Sequence, residues 1–250
     1  MAIDYQRAFQ DLIETEFSKE KFRLGFSNTQ RTEASYKAFV EGLFGENADS
    51  KINTQPEGNN SILLRPYEKC IKFIEQEDRV KDNSSEHFKF QQTDIFKKTS
   101  EEVSTRLGFK FTLNPKQIDT IFDMCRYDQA WFLQDHSAWC AAFTPEHVNV
   151  LEYLEDLKYY YKSGPGSEIN SNIMCAAVKD LITSMKEESG PKVVAYFSHA
   201  SAVQLFLTAL GYGKDSEPLR ADNYKLMKYR KFRSSVWSPL GSNLAVIKYK

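Results

Sequence analysis

A histidine stands where an apolar segment of the chain gives way to a predicted helix. The segment Val193–Phe197 is typical of a buried strand, and His199 follows it just before a helix expected from Ala202 to Leu210. The open ends of parallel strands bind ligands in α/β folds, and the free N–H groups that open a helix favour anions. His199 therefore suggests a phosphate site. The simpler alternative is a capping or surface histidine.

Two charged runs offer further candidate residues. The acidic run Glu152–Asp156 lies within a predicted helix, and we expect it to be a solvated helix face rather than a metal or acid–base site. The basic run Lys225–Arg233 has two interpretations. It captures a highly phosphorylated ligand, or it is a positively charged surface strand and loop that faces water. The residues alone leave these two interpretations open.

Several segments together resemble one enzyme family. They are Phe26–Ser35, which contains Arg31, then Cys140–Asp156, Tyr159–Ser171, Arg230–Ser235 and Ser242–Leu244. In these segments the chain is similar to the histidine acid phosphatases, and among them to the inositol polyphosphate phosphatase (phytase-like) branch. The resemblance runs through nearly the whole chain. It implies hydrolysis of phosphate monoesters on a phosphorylated inositol, without a metal or organic cofactor.

The chain departs from this family's pattern at two points. The family's nucleophilic histidine lies in an Arg-His-Gly-x-Arg motif at the end of the first strand, and the 250 residues contain no such motif. The family also carries an acid one or two residues after the second histidine, where this chain reads His199-Ala200-Ser201. A serine hydroxyl cannot replace this proton donor, and loss of general acid catalysis costs about 10²- to 10⁴-fold. The resemblance therefore predicts a catalytically impaired chain.

By resemblance, Arg31 and His199 are the surviving half of a phosphate site. Arg31 would bind phosphoryl oxygens through its forked guanidinium, and His199 would donate a hydrogen bond when protonated. Three hypotheses follow. The chain is a truncated or degenerate phosphatase that keeps a weak phosphate-binding cleft. It is an active secreted acid phosphatase whose N-terminal part is omitted from this sequence. Or it is a non-catalytic polyanion-binding or regulatory protein.

The resemblance also implies the fold class, which is α/β. We expect a histidine phosphatase (phosphoglycerate mutase-like) α/β core lacking its first strand, with an inserted, mainly α-helical lobe. Residues 1–46 and 165–250 are assigned to the core and residues 47–164 to the lobe. Apolar spacing and capping residues predict a strand at Phe22–Phe26, helices over residues 5–17, 29–43, 67–77, 94–107, 115–127, 146–162 and 173–185, a loop over residues 46–60 and a last strand over residues 242–249.

Composition and cysteines set the remaining expectations. The net charge of −1 provides no basic field for nucleic acid, and no apolar run approaches the length of a membrane-spanning helix, about 18 residues. We expect a cytoplasmic protein if Met1 is the native start, and a secreted or endoplasmic reticulum protein if a longer N-terminus exists. By resemblance, Cys125 and Cys140 form a disulfide in the secretory pathway and remain free thiols in the cytosol. Four aromatic residues are predicted to pack inside the lobe: Trp131, Phe132, Trp139 and Phe143.

Overall fold

The computed structural model describes residues 1–52, 54–58 and 61–249. Its regular elements are, in chain order, α1 (Ala2–Ala8), β1 (Phe22–Phe26), α2 (Gln30–Phe44), α3 (Ala48–Ile52), α4 (Ile71–Lys81), α5 (Glu86–Gln91), α6 (Asp94–Arg106), α7 (Pro115–Trp131), α8 (Pro145–Lys162), α9 (Glu168–Asn172), α10 (Cys175–Lys186), β2 (Val193–Phe197), α11 (Ala200–Ala209) and α12 (Ser234–Trp237), with 3₁₀ helices at Pro66–Glu68, Ala138–Ala142 and Leu226–Tyr229. Across these ranges no helix combines the length and apolar character needed to cross a membrane.

The predicted strands β1 and β2 pair in parallel. The register runs from Phe22 opposite Val193 to Phe26 opposite Phe197. Ser27 continues the pairing, because its N–H donates to the carbonyl oxygen of Phe197 over 3.0 Å. Both carboxyl ends therefore lie at one edge of the sheet, where ligands bind in open α/β sheets, and α2 and α11 begin just beyond them.

Helix α2 agrees with its predicted limits. Thr29 is the N-cap residue, although its hydroxyl lies 2.9 Å from the hydroxyl of Thr32 instead of capping a backbone N–H. Gly45 ends the helix with a φ of 86°, a left-handed conformation that glycine adopts without strain. Tyr36 stacks on Phe26 with ring centroids 4.8 Å apart, so the helix is held against the sheet.

Two predicted helices differ in extent. The helix expected over residues 5–17 ends at Ala8, because the chain turns at Phe9, whose carbonyl accepts from the N–H groups of Leu12 and Ile13. Phe9, Leu12 and Ile13 still pack around Phe22, so their apolar character serves a turn rather than a helix. The helix expected over residues 67–77 is displaced to α4, which follows a 3₁₀ helix. The predicted loop over residues 46–60 contains α3, and its Asn53, Asn59 and Asn60 lie outside the described residues.

The last predicted strand is wrong. Residues 242–249 have no regular secondary structure, and Leu244 and Val246 are each 47% exposed. A strand needs a neighbour for its N–H and C=O groups. In the sheet formed by the described residues, only β1 and β2 pair. Among the described residues, this segment therefore has no neighbouring strand to pair with, although its apolar pattern predicts a strand.

Helix α8 is the centre of the largest hydrophobic cluster. Its N-terminus is a capping box, in which the Thr144 hydroxyl accepts from the N–H of His147 and His147 Nδ1 accepts from the N–H of Thr144. Its buried apolar side chains pack against residues from α5, α6, α7 and the segment after α11: Phe90, Phe96, Val103, Ile118, Cys125, Leu219, Met227 and Phe232. Because other elements pack against α8 on nearly all sides, few of its residues are exposed.

The acidic run on α8 is buried, which corrects the prediction of a solvated helix face. Asp156 has no exposed side-chain surface, and the side chain of Glu152 is 10% exposed. Asp156 accepts hydrogen bonds from Arg230 Nε over 2.6 Å and from the N–H of Ser234 over 2.7 Å. Glu152 accepts two hydrogen bonds from Arg233 Nη2, each over 2.8 Å. These five residues are called the α8 ionic network below.

The basic run Lys225–Arg233 fits its second interpretation only in part, because Lys225, Lys228 and Lys231 are exposed while Arg230 is buried. Leu226–Tyr229 forms a 3₁₀ helix rather than a strand. The side chain of Arg230 is 5% exposed and lies against two carboxylates, so it faces neither water nor an incoming ligand. A buried cation needs acidic partners. The arginines of this run therefore hold the C-terminal segment on α8.

The predicted disulfide between Cys125 and Cys140 is present, and it closes a sequence separation of 15 residues. The aromatic packing predicted nearby is wrong for three of four residues. Phe143 is buried, whereas Trp131, Phe132 and Trp139 are 73%, 56% and 46% exposed. The bridge ties the 3₁₀ helix Ala138–Ala142 to α7, and the three exposed aromatic residues lie on the chain between the two cysteines.

The domain boundaries at residues 46 and 165 remain a prediction. Two packing contacts run across them. Phe73 of α4, assigned to the lobe, shares a cluster with Leu205 of α11, assigned to the core. Phe232, assigned to the core, meets Tyr160 of α8 edge-on with ring centroids 5.7 Å apart. The two proposed regions therefore pack directly against each other.

Candidate functional site

The parallel sheet brings Arg31 and His199 together, although 168 residues separate them in the sequence. Arg31 lies in the first turn of α2, and His199 is the N-cap residue of α11. Arg31 Nε and Nη2 lie 3.1 Å and 3.0 Å from His199 Nδ1. The phosphate-binding role of these residues stays a prediction, but their side chains form one contiguous site.

The hydrogen bonds determine the tautomer of His199. A guanidinium only donates, so Nδ1 of His199 accepts and the ring proton of the neutral imidazole resides on Nε2. Nε2 lies 3.0 Å from Ser27 Oγ, to which it donates. Ser27 Oγ in turn donates to Thr32 Oγ1 over 3.1 Å, and the Thr32 hydroxyl donates to backbone carbonyl oxygens, with that of Ser27 at 2.5 Å and that of Thr29 at 3.0 Å. A continuous chain of hydrogen bonds thus orients the imidazole.

The electrostatics of the site keep His199 neutral. Burial, and after it the positive charges of Arg31 and Arg65, together lower the pKa of His199 to about 4. At neutral pH the positive charge of the site therefore comes from arginines. His199 becomes a strong cationic donor only when an anion offsets these charges, because a bound negative charge favours the imidazolium.

We expect the imidazole of His199 to titrate near pH 4 in the folded chain, compared with 6.5 for an unperturbed histidine. NMR of the ring protons over pH 3.5–8 measures this midpoint. The unfolded chain binds the proton first as the pH falls below about 6.5, so this group's contribution to stability is complete above that pH and is lost towards pH 4. An Arg31→Gln variant should raise the midpoint. A wild-type midpoint at 6.5 or higher would contradict the described geometry.

Arg65 influences the electrostatics of His199, Tyr67 lies beside Arg65, and the sequence analysis missed both residues. Arg65 precedes the 3₁₀ helix Pro66–Glu68, and its charge acts on His199. Burial raises the pKa of the Tyr67 hydroxyl, while the adjacent Arg65 and the charge of Arg31 oppose the increase. An isolated arginine in a loop carries no periodic signal, so only the folded chain reveals its position.

Ser201 lies in the first turn of α11 and is half-buried. Two other histidines are engaged elsewhere. His87 Nδ1 lies 3.0 Å from the carbonyl oxygen of Leu154, and His147 Nε2 lies 2.8 Å from Glu102. These contacts place both rings in the helical part of the chain rather than beside Arg31. Neither supplies the imidazole nucleophile that phosphoryl transfer through a phosphohistidine needs.

The described residues contain no cluster of three or more His, Cys, Asp or Glu side chains suited to a metal ion. A hollow of about 480 Å³ lies along α10 and is lined by residues such as Cys175 and Ile182. It does not include Arg31 or His199. The candidate site is the Arg31–His199 pair, because ligand binding depends on convergent polar groups rather than on the size of a hollow.

Sequence comparison decides the family. The signature described as "Histidine phosphatase superfamily (branch 2)" matches residues 2–250. This chain belongs to the histidine phosphatase superfamily, branch 2. It is 42% identical to "Multiple inositol polyphosphate phosphatase 1" of Drosophila melanogaster over 98% of this chain and 52% of the relative. The human protein of the same name is 33% identical over 93% of this chain and 52% of its own length. The resemblance found in the sequence is confirmed.

A solved structure supports the fold class of this histidine phosphatase chain. The phytase from D. castellii superposes with a TM-score of 0.69 over 95% of this chain and 50% of the phytase, at 18% identity. The α/β fold with a helical lobe is therefore confirmed. The chain spans about half the length of the curated relatives and of the phytase that it matches.

Proposed function

We propose that this chain binds the phosphate groups of inositol polyphosphates between Arg31 and His199, and that catalysis by the chain alone is absent or severely impaired. The observation that carries the proposal is the Arg31–His199 pair at the carboxyl edge of the sheet. Relatives named as inositol polyphosphate phosphatases support the choice of ligand. The missing Arg-His-Gly-x-Arg motif and Ser201 support the loss of catalysis, since a nucleophile and a proton donor are both required.

A second candidate function is phosphate-monoester hydrolysis by a longer protein that includes this chain. The coverage of the relatives favours it, because the matched segment is about half of each of them. In that case the nucleophile and further phosphate ligands would come from the rest of the protein. The Cys125–Cys140 bridge favours the secretory-pathway alternative for localisation, because disulfides persist in oxidising compartments.

The two parts of the proposal are tested together by calorimetric titration of the purified chain with inositol hexakisphosphate and by an assay for released phosphate. An Arg31→Ala/His199→Ala variant should weaken binding about 10- to 100-fold, since hydrogen bonds to charged groups contribute about 1.5–3 kcal/mol. The binding should weaken as salt increases. Arg79→Ala is the matched control, because Arg79 is an exposed arginine near the end of α4.

Each part can fail separately. If the double variant binds as tightly as the wild type, the Arg31–His199 site is not the ligand site. If the wild-type chain releases phosphate faster than the double variant does, the chain is an active enzyme and the proposed impairment is wrong. If the chain is a polyanion-binding protein without catalysis, the wild type binds inositol hexakisphosphate and the double variant loses this binding. Both then release phosphate at the same background rate.

A further inference from the structure

The turn between α4 and α5 carries a triplet of the kind that N-linked glycosylation recognises. Residues Asn83–Ser85 read Asn-Ser-Ser, which matches the acceptor pattern Asn-x-Ser with a middle residue other than proline. The pattern occurs once more in the sequence, at Asn59–Ser61, where Asn59 and Asn60 lie outside the described residues. Such triplets often arise by chance, so the position of the triplet in the folded chain decides whether it can carry a sugar.

The folded chain presents Asn83 to solvent. Residues 81–84 are all exposed. The turn is shaped by its own backbone, because the N–H of Ser84 donates to Asp82 Oδ1 over 2.7 Å and the N–H of Ser85 donates to the carbonyl oxygen of Asp82 over 3.0 Å. An oligosaccharide is bulky and needs a surface position. The Asn83 amide can therefore carry one without displacing packed side chains.

The third residue of the triplet has a second task in the folded chain. Ser85 is the N-cap residue of α5, and its hydroxyl accepts from the N–H of Phe88 over 3.3 Å. A change of Ser85 to alanine removes this cap together with the hydroxyl that the acceptor pattern requires. A change to threonine keeps both, so the pair of substitutions separates the loss of the pattern from other effects of changing this residue.

The disulfide is an independent observation that points to the same modification. Cys125 and Cys140 are bridged, and disulfides persist in oxidising compartments such as the lumen of the endoplasmic reticulum. N-linked sugar is added in that same lumen. The chain therefore combines a bond that is maintained in this compartment with an exposed acceptor for the sugar that is attached there.

We infer that Asn83 is an N-glycosylation site of this chain when it matures in the secretory pathway. In the transfer, the side-chain amide nitrogen of Asn83 forms a bond with C1 of the first sugar of a lipid diphosphate-linked oligosaccharide. The bond between that C1 and the diphosphate oxygen breaks, the lipid diphosphate leaves with the electron pair, and the amide nitrogen loses one proton to the solvent. The inference goes beyond the proposed function and does not depend on it.

The sugar would be attached away from the candidate site. Phe73, near the start of α4, shares a cluster with Leu205 of α11, the helix that begins after His199. Asn83 follows the other end of α4, whose eleven residues span about 16 Å. We therefore expect the chain to bind phosphate equally well with and without the sugar.

The test produces the whole chain in a eukaryotic secretory host behind a cleavable leader peptide, with Asn59→Gln in every variant so that only Asn83 is scored. Peptide-N-glycosidase releases the sugar and converts the modified asparagine to aspartate, which peptide mass mapping locates. We expect this conversion at residue 83. Asn83→Gln and Ser85→Ala should lose the sugar, whereas Ser84→Ala and Ser85→Thr should keep it, because only the first and third positions of the triplet are recognised.

The chain is captured from whole cells by an affinity tag, so a variant that folds poorly is still scored. An unmodified Asn83 in the starting chain overturns the inference, and so does a sugar that persists in Ser85→Ala. Calorimetric titration with inorganic phosphate, before and after release of the sugar, keeps the two proposals apart. A chain that carries the sugar and binds no phosphate contradicts the proposed function and supports the assignment of Asn83.

Discussion

Replacing Asp156 with alanine is expected to lower the free energy of unfolding by about 3–5 kcal/mol. Asp156 is fully buried and accepts hydrogen bonds from Arg230 Nε and from the N–H and hydroxyl of Ser234. Without this carboxylate, Arg230 keeps only Glu152 as a buried acidic partner, and the N–H of Ser234 loses its acceptor. A buried charge left without its partner costs far more than a surface ion pair contributes.

Urea unfolding followed by circular dichroism measures this loss. Asp11→Ala is the control, because Asp11 is an exposed acid, and it should change the free energy by less than about 0.5 kcal/mol. Adding Arg230→Met to Asp156→Ala should recover part of the loss, since removing both charges leaves no unpaired cation. A loss below about 1 kcal/mol for Asp156→Ala would mean that the α8 ionic network does not hold the C-terminal segment in place.

Removing the disulfide is expected to cost about 3 kcal/mol. The bridge between Cys125 and Cys140 joins residues 15 positions apart. Closing a loop of this length lowers the conformational entropy of the unfolded chain, which stabilises the folded chain by about 3 kcal/mol. Between the two cysteines the folded chain also has three exposed aromatic residues, Trp131, Phe132 and Trp139. Exposed aromatic residues contribute little packing energy, and beside the covalent bond the segment is held by hydrogen bonds such as that from Gln129 Nε2 to the carbonyl oxygen of Asp135 over 2.9 Å.

The measurement compares urea unfolding of the wild type and of Cys125→Ser/Cys140→Ser, each with and without reductant. The wild type should lose about 3 kcal/mol on reduction, and the variant should not respond. Cys70→Ser/Cys175→Ser is the matched control, because these cysteines are free, and it should keep the wild-type sensitivity to reductant. A wild type that is equally stable with and without reductant would show that the bridge contributes nothing to stability.

The elements beside the candidate site could be predicted because their signals are local. The apolar runs of β1 and β2 and the Gly45 stop of α2 each lie within a few residues of the feature they specify. The pairing of Arg31 with His199 came from resemblance, and no local pattern would have joined residues 168 positions apart.

The features that could not be predicted depend on distant partners. An acid on a helix normally faces water, and Asp156 is buried because Arg230 and Ser234 reach it from more than 70 residues away. Arg65 stands in a loop without periodicity, and the hydrogen bond from Ser198 to Leu64 sets the position of that loop. The last predicted strand failed for a related reason, since its apolar pattern could not show whether a neighbouring strand would be available.

The parallel pairing of β1 with β2 also bears on the order in which the chain folds. Within each helix the backbone hydrogen bonds join residues close in sequence, whereas the register of Phe22 with Val193 joins the two ends of a long loop. Contacts of this kind form late, because the entropy of loop closure opposes them. During synthesis, Arg31 emerges long before His199, and the pocket between them cannot exist until the second strand has been made. A ligand of this site would therefore bind only chains in which both strands have been made and paired. By mass action it would stabilise these chains relative to partly folded ones.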